Sequence, residues 1–249
     1  MLGLGNTLSG GIVPAAAVAE FSNTKSIDFD GTDDYAVSAG NTDSAILNNR
    51  VKTIALWFKS SDGSQATMFD YGLNTMLIEI NGSNLYFYHS ITNPTMIVHW
   101  SHRYRWLNTG AWVHMVCTVS QPGGSGTEAI AKVYLDAVEV FSNTTTKTES
   151  DVSANKVSAG GDINGNKLFE TSIDEISWWN GVALDADAIA AVYNSGKPFE
   201  LTNNRGSYDN ASNLQGYWRL NNDAIDYSSN ANNGTLAGNA TFSASTPDD

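Results

Sequence analysis

The chain has 249 residues and a formal net charge of −13, with a pI near 4.5. That balance excludes nonspecific attachment to nucleic acid or to an anionic membrane surface, both of which need a basic face. Cys117 is the single cysteine, so no intrachain disulfide can form, and no apolar run approaches the length of a membrane span. Sparse charge and plentiful Asn, Ser, Thr and Gly describe a loop-rich, all-β protein of extracellular or virion-exposed type.

Residues 1–25 read as an N-terminal arm. Met1, Leu2, Leu4, Leu8, Ile12 and Val13 are interrupted by glycines and followed by Pro14, with no basic stretch ahead of them, which argues against a secretory signal. These six residues are the expected assembly contacts, to other virion proteins or to a second copy of the chain. From Ser26 the pattern changes. Ser26 to Val37 reads as a strand, a tight Asp30-Gly31 turn and a second strand. Lys52 to Ser60 alternates with Ile54, Leu56 and Phe58 on one face, and strands follow at Ala66 to Tyr71, Asn74 to Ile80 and Leu85 to Ser90.

Thr95 to Leu107 gathers basic and aromatic residues inside an acidic chain. As a strand it would carry Trp100, His102, Tyr104 and Trp106 on one face and Arg103 and Arg105 on the other. An ordinary packed strand accounts for this pattern. So does a glycan platform, because aromatic faces stack on sugar rings and arginines bond hydroxyls or carboxylates. Trp112 to Val119 is the next strand, with His114 and Cys117 expected to be buried and structural. Ala131 to Val140 is a hairpin whose turn pair, Asp136-Ala137, is less suited to its task than Asn-Gly.

Ile173 to Asn180 is a strand on which Ile173, Glu175, Ser177 and Trp179 should share one face and Asp174, Ile176 and Trp178 the other. Asp185 then N-caps a short alanine-rich helix, Leu184 can staple to Ile189, and Gly196 and Pro198 end it. Pro198 to Asn213 has no apolar periodicity and reads as a linker. Leu214 to Leu220 is a last clear strand, ahead of an Asp226 to Leu236 loop rich in Ser and Asn.

Several of these segments resemble laminin-G-like and concanavalin-A-like domains: Phe29-Asp30-Gly31, Trp112-x-His114, the 131–140 hairpin and Ile173-Asp174-Glu175-Ile176 before its helix. The resemblance covers roughly residues 26–243. It implies an all-β, two-sheet antiparallel jelly-roll sandwich with one short helix. The Tyr217-Trp218-x-Leu220 segment, which opens most such domains, comes last here, implying a permuted order closed within one chain or a strand exchange between chains. The resemblance also implies calcium, with Asp226, Asn230 and Asn232 as ligand candidates and Asp30 and Asp174 nearby. Similarity to laminin-G-like proteins of marine tailed phages points to a non-catalytic virion structural or decoration protein able to adhere to glycans; a secreted or cell-surface carbohydrate-binding module is the alternative. Catalysis is not expected, because Asp174 and Glu175 are adjacent and would point to opposite faces, whereas glycoside hydrolysis needs two carboxylates across one cleft.

Overall fold

A computed structural model describes residues 21–39, 51–60, 66–72, 76–81, 84–89, 110–121, 128–145 and 156–248. The arm residues Met1 to Val13 and the aromatic segment Trp100 to Trp106 lie outside them.

Two antiparallel sheets form the sandwich, and both draw on the two ends of the chain. The first contains β1 (Ser26–Asp30), β3 (Lys52–Lys59), β7 (Val113–Ser120), β8 (Ala129–Leu135), β9 (Val138–Thr145), β11 (Glu170–Asn180), β12 (Leu214–Trp218) and β14 (Thr241–Ser243). Its order is β14-β1-β11-β3-β7-β8-β9, with β12 on the far half of β11. The second contains β2 (Tyr35–Ser38), β4 (Ala66–Tyr71), β5 (Met76–Asn81), β6 (Asn84–His89), β10 (Val157–Ala159) and β13 (Gly234–Ala237), in the order β13-β2-β10-β4-β5-β6. β12, β13 and β14 thus pair with β11, β2 and β1 of their own chain. The C-terminal strands complete the sandwich of their own chain.

The Asp30-Gly31 turn is not a hairpin. β1 and β2 pair in different sheets, so residues 31–34 carry the chain across the rim of the sandwich. Between the sheets lies the main core, in which alternate residues Ile54, Leu56 and Phe58 of β3 meet Met68, Ile78 and Phe87. Successive residues of a strand face opposite sides, and the intervening Ala55 and Trp57 are buried on the outer face of the sheet.

The outer face of the first sheet carries a second core. Ala55, Trp179 and Tyr217 are covered there by the helix α1 (Ala186–Tyr193) and by Phe199, Leu201 and Tyr208. The Pro198 to Asn213 stretch is therefore a packed layer and not a free linker. Tyr208 anchors it: its hydroxyl donates to the Leu201 carbonyl at 2.8 Å and accepts from Trp179 Nε1 at 3.0 Å. For α1, Asp185 is the N-cap, accepting from the Ala188 N–H, and Leu184 and Ile189 are both buried. The helix ends at Asn194 in the left-handed conformation (φ 47°), two residues before the glycine expected to stop it. Asn is the side chain best able to share that role with Gly.

In β11 the expected face assignment fails at one point. Asp174 pairs with Trp57 and Ser177 with Ala55, so Glu175 and Ile176 oppose the single residue Leu56. Glu175 adopts φ 50°. This is a β-bulge, and an extra residue resets which side chains face inward. Ile173, Ile176 and Trp178 point into the main core, and Trp179 into the outer one. Glu175 lies 3.5 Å from Arg219, whose charge also acts on Asp174, and Asp174 accepts from the Asn23 amide.

Candidate functional site at the sandwich rim

Where β1 ends, β11 begins and β3 ends, a cleft of about 380 Å³ opens, its wall including Asp28, Asp34, Lys59, Glu170, Asn239 and Gly110. The crossover turn puts three carboxylates beside it. Asp30, Asp33 and Asp34 place one oxygen each within 4.8 Å of one another. The turn is held by its own acids: Asp30 accepts from the Thr32 N–H at 2.7 Å, and Asp34 accepts from the Asp30 N–H at 3.1 Å.

The rest of the frame comes from two hundred residues away. The Asn239 N–H donates to Asp34 at 2.6 Å, and its side-chain amide, nitrogen toward the acids, reaches Asp33 at 2.7 Å and Asp34 at 2.9 Å. This approach requires Gly238, which has φ 69° and where a Cβ would lie 2.4 Å from the Asp33 carbonyl oxygen. Asp34 is 2% exposed, whereas Asp30 and Asp33 face solvent. Desolvation first, then the charges of Asp34 and Asp30, push the Asp33 carboxyl above its ordinary range. In the cleft wall, Asp28 Oδ1 is shielded from solvent with no hydrogen-bond donor facing it. Three oxygen-bearing acids that repel one another, next to an unpartnered carboxylate oxygen, fit a hard divalent cation such as Ca²⁺, which takes oxygen ligands.

Of the residues that the sequence put forward as calcium ligands, Asp30 alone belongs to this cluster. Asp226, Asn230 and Asn232 form a separate, internally satisfied turn. Asp226 is 3% exposed; its Oδ1 accepts from the N–H groups of Tyr217 and Ser228, and its Oδ2 from Ser228 Oγ and the Asn232 N–H. Asn230 donates its amide to the Gln215 carbonyl. With four donors already on Asp226, the loop caps itself. Asp174 lies elsewhere again. Asp30 pairs with Glu170, and Asp174 is four positions further along β11, which at strand rise is about 13 Å. Asp162-x-Asn164-x-Asn166 is likewise a self-capped loop, with Asp162 Oδ1 accepting from both asparagine N–H groups.

His114 is structural, as the sequence suggested. Its ring is buried on the outer face in a cluster with Trp57 and Tyr193, with centroids 4.7 and 5.9 Å away, and burial lowers its pKa to about 3. Cys117 is fully buried, and burial pushes its thiol pKa up, so it is not a ready nucleophile.

The family is decided by a match over residues 30–190, to the family described as the concanavalin A-like lectin/glucanases superfamily. The chain belongs to that superfamily. No curated protein matches it in sequence. Among solved structures this concanavalin A-like chain is similar to a heptameric SAP-like pentraxin from Limulus polyphemus, with 15% identity, a TM-score of 0.50, and 68% of this chain and 82% of that one covered. It is also similar to the receptor binding domain of botulinum neurotoxin D, with 15% identity, a TM-score of 0.51, and 71% and 45% covered, so it spans less than half of that domain. At such identity the likeness is one of fold. Asp33, Asp34 and Asn239 were not singled out from the sequence. The available signal was the acid density of Asp28 to Asp34, which reads equally well as a polar turn.

Proposed function

We propose that the protein is a non-catalytic binding domain that takes carbohydrate at the sandwich rim, with a calcium ion held by Asp30, Asp33 and Asp34. The observation that carries the proposal is the rim cleft itself. Its volume of about 380 Å³ falls in the range of small-ligand sites, and carboxylates beside it offer the acceptors that sugar hydroxyls and a hard cation both use. The aromatic segment Trp100, His102, Arg103, Tyr104, Arg105 and Trp106 remains the proposed stacking platform, and the described chain resumes after it at Gly110, in the cleft wall. A binding role without turnover is supported by Asp174 and Glu175, which are 0% and 4% exposed and so out of a polysaccharide's reach.

A glycan array, read in calcium and again in chelator, tests this. Binding that chelator removes and Asp33→Asn weakens at least tenfold is the expected result. Glycan binding indifferent to both would take the ion out of the proposal, and no binding to any glycan would overturn it.

The setting we infer is a phage particle, in which the chain is a structural or decoration protein; an extracellular carbohydrate-binding module is the alternative. Support comes from the glycine-interrupted apolar residues Met1 to Val13, the lone Cys117 and the permuted segment order. Particles banded on a density gradient should contain the chain at fixed copy number by mass spectrometry. Its absence from the band would leave the module.

A further inference from the structure

β11 has one long flank with two successive partners. β1 pairs with it as far as Ile27↔Ile173, and β12 takes over at Trp218↔Ile176. The bulge residues Asp174 and Glu175 sit at the handover, where neither strand covers them. Phe21 to Thr24, the residues leading into β1, close that gap. Asn23 is 7% exposed and donates its amide to Asp174 Oδ2 at 2.7 Å. The Ser22 carbonyl accepts from Arg219 Nη2 at 2.6 Å and from Asn221 Nδ2 at 2.9 Å. Thr24 donates its N–H and its hydroxyl to Asn221 Oδ1. Phe21 lies over the Arg219 guanidinium, 4.2 Å from ring centroid to Cζ, with Tyr227 on it at 5.5 Å.

The enclosed charges do not balance. Two carboxylates, Asp174 and Glu175, are buried with one cation, Arg219, which lies 3.5 Å from Glu175 Oε1. Tyr217 supplies a neutral hydroxyl to Glu175 Oε2. Among the described residues, the other ionisable groups near the pair and its partners are acidic or neutral: Glu200 from the packed layer, Asp223 and Tyr227 from the loop after β12, Asp248 near the C-terminus, and His114 of β7, which lines a small cavity with Glu175 and is kept neutral by burial. Two ionised carboxylates here would leave an uncompensated negative charge out of water, which a buried site avoids by holding a proton.

We propose that Phe21–Thr24 is a strap whose closure over Asp174 and Glu175 takes up one proton, so that raising the pH opens it. When the strap lifts, Asp174 meets water and ionises at ordinary pH, leaving Glu175 paired with Arg219; when it closes, the two acids share one proton. Closure is therefore favoured on the acid side. One linked proton makes the opening constant rise by up to tenfold per pH unit between the pKa of the exposed acid and that of the closed pair, and it levels off above the latter. Burial is the first cause that holds both acids well above the usual carboxylate range, with the Asp174 charge adding to it at Glu175.

Amide hydrogen exchange of residues 22–25 in the full chain, corrected for intrinsic rates and followed from pH 6 to pH 9, tests the strap. The expected result is an opening constant that climbs with a slope approaching one decade per unit, while β3 and β7 amides keep a flat opening constant. Asp174→Asn, neutral at every pH, should flatten the slope at the strap; Glu175→Gln is the substitute if that variant folds poorly. A parent slope of zero overturns the proposal without any variant, as does a slope unchanged in the neutral variant.

Discussion

His114 offers the most direct measurement of what the outer core costs. In the unfolded chain an imidazole titrates near 6.5; in the folded protein burial lowers the value to about 3. The folded state therefore binds fewer protons than the unfolded one, and the sign follows. The stability contribution is fully present above pH 6.5 and is lost as pH falls toward 3. The full span of about 3.5 units corresponds to roughly 5 kcal/mol, and the part traversed between pH 7 and pH 4 to about 3 kcal/mol. His114→Phe removes the titrating group while keeping a ring against Trp57 and Tyr193, and it removes Nδ1, which is buried with no hydrogen-bond partner. At pH 7 the variant should lie within about 1 kcal/mol of the parent, or be more stable, since no satisfied bond of the ring nitrogen is lost. Urea unfolding at both pH values gives the comparison, and the difference between the two proteins, not either curve alone, is the informative quantity because carboxylates titrate in both. The variant should gain about 3 kcal/mol on the parent between pH 7 and pH 4. Parallel loss in the two proteins would mean that the ring is protonated in the folded state, and the burial argument would fall.

Three further substitutions test the frame. Asp226→Ala leaves the Tyr217, Ser228 and Asn232 N–H groups without their acceptor, and should cost about 2–4 kcal/mol in urea unfolding; a loss below 0.5 kcal/mol would refute its role as the cap of that turn. Ala137→Gly should stabilise, because Ala137 holds φ 63° in the β8–β9 turn; about 0.5–1 kcal/mol is expected, and thermal unfolding checks it. Gly160→Ala should destabilise by 2 kcal/mol or more, since its φ is 75° and a Cβ would stand 2.6 Å from the Phe29 ring; an unchanged melting temperature would show that the Gly160–Phe29 approach is not tight.

What the sequence disclosed, and what it withheld, divides along the range of the interactions involved. The residues of β3 and β7 that face the main core recur every two positions, and the helix carries its own N-cap, so both are written in neighbours along the chain. Three features are not. The bulge at Asp174 and Glu175 changes no residue type, only the count of residues opposite Leu56, and period-two reasoning carries straight across it. Phe199, Leu201 and Tyr208 have no common period, because an irregular layer is positioned by the pockets that it fills and not by a repeat of its own. The rim acids are the clearest case. Asp30, Asp33 and Asp34 are local, yet what makes them a framed site is Gly238 and Asn239, brought over by the β13–β14 turn. That turn reaches the rim because β13 and β14 pair with β2 and β1, which lie in different sheets, so their connection crosses the rim beside residues 31–34. The candidate site is thus a consequence of topology, and topology is the property that local patterns specify least.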